Sequence, residues 1–266
     1  IGEHSFSSRD INVAIGSHIL SLQKDLKVNL THPDVEISIE VRGNDAYIFS
    51  KTIEGIGGLP VGTQGRVVAI LSGDKKDAVA AFMMLKRGCN VAPLIFDLYG
   101  SLTHRLTRHS LSQARKLSIL GADEYVWIFP LNHILNQVRK KTDGKFSFFI
   151  RRRCELRAAE LIARKVSAEA IVVGDDAESI VEIMLPNLHL LDAACRLPVL
   201  RPLSCLEKNE IEKIGLKIGL KLARKRHRCE VDTIISVEKI IEQERKINVE
   251  KIIDGASKKI RKIEVR

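Results

Sequence analysis

The run Val67-Val68-Ala69-Ile70-Leu71 constrains this chain more than any other feature. Five consecutive apolar residues, closed by Ser72-Gly73 and followed by a helical pattern from Asp77 to Arg87, describe a strand buried on both faces and feeding a helix. The theme returns at Val91–Phe96, Glu124–Phe129, Ala170–Val173 and Pro198–Leu200, with helical stretches expected at 103–119, 153–166 and 207–218. Strands alternating with helices predict an α/β fold with a doubly wound parallel sheet. Beyond Ile234 the pattern is charged and helical, with Ile240, Ile241, Ile247, Ile252 and Ile253 as its apolar positions.

The N-terminal stretch has another rhythm. Val13, Ile15, Ile19, Leu22 and Leu26 recur at near-helical spacing, and Thr31-His32-Pro33-Asp34 ends the segment. Residues 35–41 alternate apolar and polar, Arg42–Asp45 reads as a turn, and Ala46–Phe49 supplies a return strand, so 35–50 is expected to form an antiparallel hairpin. The glycine-dense run Gly55–Thr63 marks the boundary between the two rhythms.

The net charge of +10 favours a polyanionic partner, because lysine and arginine gain by neutralising phosphates and releasing counterions. A charged surface with no such partner is the competing reading. With 5% aromatics, backbone and shape recognition is expected rather than base stacking. No run of about 18 uncharged apolar residues suits a membrane, and no secretory signal is visible. The five cysteines form no CxxC pair and their odd count argues against a disulfide framework, so a cytoplasmic setting is expected. The histidines show no metal-ligand spacing, and no metal site is expected.

In open α/β sheets ligands sit beyond the carboxyl ends of the strands, where free N–H groups at helix starts attract anions. The loop Ser72-Gly73-Asp74-Lys75-Lys76-Asp77 is such a place, although it is neither a Walker A loop nor a GxGxxG turn.

The order of motifs resembles the tRNA 4-thiouridine synthetase (tRNA sulfurtransferase) family: Gly55–Gln64, a strand, Ser72-Gly73, and a helix ending Lys86-Arg87-Gly88-Cys89. Arg153–Asp175, Leu185–Asp192 and Val199-Leu200-Arg201-Pro202-Leu203 are similar to later stretches of the same family. The resemblance implies an RNA-binding THUMP segment over 1–54, a linker over 55–65, and a PP-loop α/β domain over 66–266 with a helical C-terminus. It implies the latter part of a THUMP domain, with the family's ferredoxin-like part outside this chain and no rhodanese-like domain. It further implies tRNA as partner, ATP and Mg²⁺ as cofactors, and adenylation of a uridine followed by sulfur delivery from a persulfide. A sulfur-donor protein and a homodimer are left open.

By the same resemblance, Ile70, Leu71, Ser72, Gly73, Lys75, Lys76, Arg152 and Gly174 are the ATP and phosphate positions, and Cys229 is the candidate sulfur-transfer cysteine. Cys229 follows Lys225, Arg226 and Arg228, cations that favour a thiolate. Arg42, Lys51, Arg151, Arg153, Lys225, Arg226 and Arg228 are the candidate RNA contacts. Arg151–Arg153 are expected to head a helix, where the dipole disfavours cations unless an anion is near.

The chain also departs from the family. The loop pattern Ser-Gly-Gly-x-Asp-Ser has Asp74, Lys76 and Asp77 at its second glycine, its aspartate and its last serine, and Ile183 stands where the family carries a glutamine. Acidic groups where phosphates belong, and a lysine in place of a metal-binding carboxylate, set the residues against ATP and Mg²⁺. The leading expectation is a tRNA-binding protein with an impaired adenylation site. The alternatives are an active ATP-dependent tRNA sulfurtransferase and a small-molecule PP-loop enzyme.

Overall fold

A computed structural model describes residues 5–53, 55–142, 144–220 and 234–265, and the side chain of residue 145 is not described. The chain divides into two compact units, Ile1–Gly57 and Gly58–Arg266.

In the smaller unit, α1 (Ser8–Leu22) is followed by β1 (Ser38–Arg42) and β2 (Asp45–Phe49). A capping box starts the helix: Ser7 accepts from the Asp10 amide, and Asp10 accepts from the Ser7 amide at 2.8 Å. The helix stops at Leu22, short of the Thr31–Asp34 cluster expected to end it, where Gln23 turns to an extended backbone. The strands form the antiparallel hairpin, with Ile39 opposite Ile48, and Gly43 makes the turn at φ +58°.

The larger unit contains β3 (Arg66–Leu71), α2 (Lys75–Lys86), β4 (Asn90–Asp97), α3 (Arg105–Ile119), β5 (Tyr125–Pro130), α4 (Asn132–Lys141) and α5 (Gly144–Val166). It continues through β6 (Ala170–Val172), α6 (Ala177–Ile183), α7 (Leu185–Asp192), β7 (Val199–Leu200), α8 (Lys208–Lys217), α9 (Val237–Ile247), α10 (Val249–Ser257) and β8 (Arg261–Glu264). The sheet order is β7-β6-β3-β4-β5-β8, with every pair parallel except β5 and β8.

The apolar run at 67–71 is buried on both faces. Val68 and Ile70 enter one core with α4, α5, α7, α9 and α10, while Val67, Ala69 and Leu71 enter the other with α2, α3 and α8. Each fully buried aliphatic such as Leu71 contributes about 2 kcal/mol of hydrophobic stabilisation. The doubly wound α/β fold expected from the strand pattern is present, with β8 added antiparallel at its edge.

Three local expectations change. The glycines from Gly58 onward are built into the larger unit, where Leu59 donates to the Lys86 carbonyl and Gly62 to the Gly88 carbonyl. The helix expected at 153–166 begins at Gly144, because Phe146, Phe148, Phe149 and Ile150 pack into the core ahead of it. The C-terminal charged stretch is not wholly helical, since Arg261–Glu264 pairs with β5 and Lys262 lies over the Tyr125 and Trp127 rings.

Candidate phosphate loop and its ion-pair ring

β3 sits between β4 and β6, so the chain leaves it in one direction for β4 and later returns on the other side to form β6. That reversal opens a crevice at the strands' carboxyl ends, the usual ligand position in such sheets. The loop from Ser72 to α2 and the turn Gly174-Asp175-Asp176 after β6 line it.

Each loop residue has an assignable local role. Gly73 has φ +99°, a left-handed conformation that favours glycine, and a Cβ there would lie 3.3 Å from the Leu106 carbonyl oxygen, a tight approach. Asp74 is the N-cap of α2, its Oδ1 accepting from the Lys76 amide at 3.0 Å. Asp77 folds back over the loop: its Oδ2 accepts from the Ser72 amide at 2.7 Å and from Ser72 Oγ at 2.6 Å. Gly174 closes against the same group, for a Cβ there would stand 2.3 Å from Asp77 Oδ1 and 2.8 Å from the Asp77 amide nitrogen. Ile70 and Leu71 end β3 and are buried.

The cations around the loop are paired. Arg152, from the middle of α5, grips Asp175 through both carboxylate oxygens at 2.8 and 2.9 Å and also reaches Glu155 at 3.4 Å. Arg201, just beyond β7, bonds Asp175 at 3.3 Å and Asp192 at 2.6 and 2.9 Å. Lys76 Nζ meets Asp176 at 2.9 Å, and Asp176 caps α6 through the Ser179 amide and hydroxyl. Lys75 makes no ion pair among the described residues.

The electrostatics follow from this ring. Burial, reinforced by the charge of Asp74, pushes the Asp77 carboxyl up to about 7 against the pull of its Ser72 hydrogen bonds. For Asp176 the burial effect is outweighed by Ser179 and Lys76, which hold its carboxyl below the ordinary range. Burial opposes the charge of Lys76 and of Arg152, yet their carboxylate partners hold both above their usual values.

Of the positions singled out in the sequence, Ile70, Leu71, Ser72, Gly73, Lys75, Lys76, Arg152 and Gly174 therefore come to one end of the sheet. Arg201, Asp175 and Asp176 complete the ring and were not among them. The segment Asp176-x-x-Ser179 after a strand is an N-cap pattern that flags Asp176 as fixed.

The basic triplet does not head a helix as expected. Arg151–Arg153 lie in the middle of α5 rather than at a helix start, so the helix dipole does not oppose them there. Arg153 is 3% exposed and its donors are taken by Glu244, at 2.8 and 3.2 Å, and by the Leu190 carbonyl, which removes it from the candidate RNA contacts. Arg151 is part-exposed, 3.9 Å from Glu155 and over the Phe148 ring. In the smaller unit, Arg42 is exposed, pairs with Glu40 at 2.8 Å and lies over Tyr47, and Lys51 is exposed. Lys225, Arg226, Arg228 and Cys229 lie outside the described residues.

Residues 62–254 match the family model described as Thiamine biosynthesis protein (ThiI), and residues 1–51 match the THUMP domain. A probable tRNA sulfurtransferase of Thermococcus kodakarensis is 35% identical over 82% of this chain and 57% of its own. A relative with the same description from Thermoanaerobacter sp. is 29% identical over 96% of this chain and 69% of its own. The chain thus spans between about half and two thirds of the length of such relatives. Among solved structures, a 4-thiouridine synthetase in complex with RNA and bound ATP superposes with a TM-score of 0.82 at 27% identity, covering 100% of this chain and 72% of that one. With its larger unit matched almost throughout and a THUMP domain ahead of it, the chain belongs to the ThiI family of tRNA sulfurtransferases.

Proposed function

We propose that this chain is a tRNA-binding THUMP and PP-loop protein of the tRNA sulfurtransferase family whose phosphate loop is filled by its own carboxylates, so that adenylation is impaired. The pair of hydrogen bonds from Ser72 to Asp77 supports this reading most. A loop of this kind binds phosphate with backbone N–H groups at a helix start. Here the Ser72 amide is directed to Asp77 and the Lys76 amide to Asp74. Arg152, which has the charge to meet a phosphate, is committed to Asp175, and Lys76 to Asp176. On this reading the residues present do not fit a metal-bound triphosphate: like charges face it, and Lys76 stands where a carboxylate would serve Mg²⁺.

Affinity for tRNA rests on the THUMP match, on the charge of +10, and on the relative solved with RNA. Arg42, Lys51 and Arg151 are its candidate contacts among the described residues, with Lys225, Arg226 and Arg228 in the segment that carries Cys229. Cys229 is the candidate sulfur-transfer cysteine, and a sulfur-donor protein is the partner that role would require.

A second reading, an active ATP-dependent sulfurtransferase, draws on one observation. A carboxyl that titrates at about 7 is half protonated near neutrality, which lowers the repulsion Asp77 would offer a phosphate. Incubating the chain with tRNA, Mg-ATP and sulfide, and measuring 4-thiouridine in the RNA by mass, separates the two. Salt-dependent tRNA binding without product supports the first reading; product formation replaces it with the second.

A further inference from the structure

Between Asp97 and Asp123 the chain has no acidic residue, in a molecule that carries 33 of them. α3 fills most of this interval. Its exposed residues Arg105, Arg108, His109, Ser112, Arg115 and, at its last position, the apolar Ile119 fall within about 120° of the helix circumference. None of the three arginines pairs with a carboxylate among the described residues.

An ordinary solvated helix face mixes both signs of charge and carries its acids in the first turn and its bases in the last. α4 keeps the basic half of that rule, with Arg139, Lys140 and Lys141 in its last turn, although it too carries no acid. α3 breaks it: Arg105 and Arg108 lie at its start, where the helix dipole opposes them, and the first turn has no acid. The fold therefore carries an unfavourable local arrangement that an external anion would relieve.

The position of this face is equally specific. The start of α3 follows β4 and abuts the phosphate loop: the Leu106 carbonyl limits the space over Gly73, and Gln113 Nε2 donates to the Gly73 carbonyl at 3.3 Å. At the same corner Tyr99, 50% exposed, stacks on His104 with ring centroids 3.5 Å apart. Asp97, itself held by Arg261 at 3.1 Å, accepts from the Tyr99 and Ser101 amides and fixes that turn.

We infer that the exposed face of α3 is an RNA docking surface, with Arg105, Arg108 and Arg115 on successive phosphates and the exposed Tyr99 ring at its phosphate-loop end. The arginines extend over about 15 Å of helix, long enough to meet several phosphates of one strand. The inference rests on the tRNA reading above and adds a surface on α3 to the contacts proposed there.

The test is the affinity of the full chain for labelled tRNA across a salt series. The variant Arg105→Ala/Arg108→Ala/Arg115→Ala is expected to bind about tenfold or more weakly and to flatten the log–log salt slope by about two to three. Replacing the same three residues with lysine is expected to keep most of that slope, because charge carries it. Arg139→Ala/Lys140→Ala/Lys141→Ala removes equal charge from α4 and is expected to change the slope far less. An unaltered slope in the α3 variant overturns the inference, and so does an equal loss in the α4 variant, which would mean net charge alone. If the unmodified chain shows no salt-dependent tRNA binding, the tRNA reading itself fails and this surface falls with it.

Discussion

Asp77 Oδ2 accepts both the amide and the hydroxyl hydrogen of Ser72, at 2.7 and 2.6 Å, and so places a carboxylate of the chain where the loop's own anion-binding donors point. That relationship has a consequence in pH. Its folded value of about 7 lies above the ordinary 3.8, so the folded protein holds this proton more tightly than the unfolded chain does. The stabilising contribution is full below the ordinary value and is lost as pH rises through about 7. Stability measured by denaturant between about pH 5 and 8 should fall with rising pH in the natural chain, and Asp77→Asn should flatten that decline.

Glu244 holds α9 against α5 by accepting from both Arg153 and Arg157, and these partners keep its carboxyl below the ordinary range despite burial. Removing it leaves Arg153 buried without a counter-charge. Glu244→Ala should cost about 3–5 kcal/mol in urea unfolding, and Glu244→Gln, which keeps one acceptor, distinctly less.

The Asp97–Arg261 pair ties the edge strand β8 to the turn after β4. Asp97 is 1% exposed and its loss frees the Tyr99 and Ser101 amides. Asp97→Ala should speed hydrogen exchange at those two amides more than in the centre of β3. Equal acceleration throughout would mean general destabilisation instead.

Thiol labelling offers a separate check on the sulfur-transfer proposal. Burial pushes the Cys154 thiol up to about 12 and Cys195 up to about 11, and it raises Cys89 as well. A limiting alkylating reagent should therefore spare these three. Cys229, after its run of basic residues, should react ahead of exposed Cys205 in mass-resolved labelling. Earlier labelling of Cys205 would remove the main support for Cys229.

What the sequence made legible follows from which forces are local. The run Val67–Leu71 fixes a two-faced strand because nothing else buries five successive apolar residues, and the loop after it is then bound to lie at the sheet's carboxyl end. The orientation of acids within that loop was not legible. Asp74 and Asp77 read as repulsive intruders, whereas one is the cap of α2 and the other is hydrogen-bonded inward by Ser72. Arg151, Arg152 and Arg153 look alike in sequence, yet helical rotation sends one toward solvent, one to Asp175 and one to buried Glu244. Those partners lie 4, 23 and 91 residues away, and only the last two depend on tertiary structure. β8 was missed for a related reason: Arg261–Glu264 acquires its strand character from β5.

Calorimetric titration of Mg-ATP distinguishes a phosphate loop occupied by its own carboxylates from one open to a nucleotide. The comparison is between the natural chain and Asp74→Gly/Lys76→Asp/Asp77→Ser. Glycine is tolerated at an N-cap, so the first change should cost α2 only a few tenths of a kcal/mol. Weak or undetectable binding is expected for the natural chain and measurable binding for the triple variant. Each single change should give less, because a restored metal ligand has little effect while Asp77 still holds Ser72. Tight, micromolar binding of Mg-ATP by the natural chain, unchanged in the triple variant, would contradict an occupied loop.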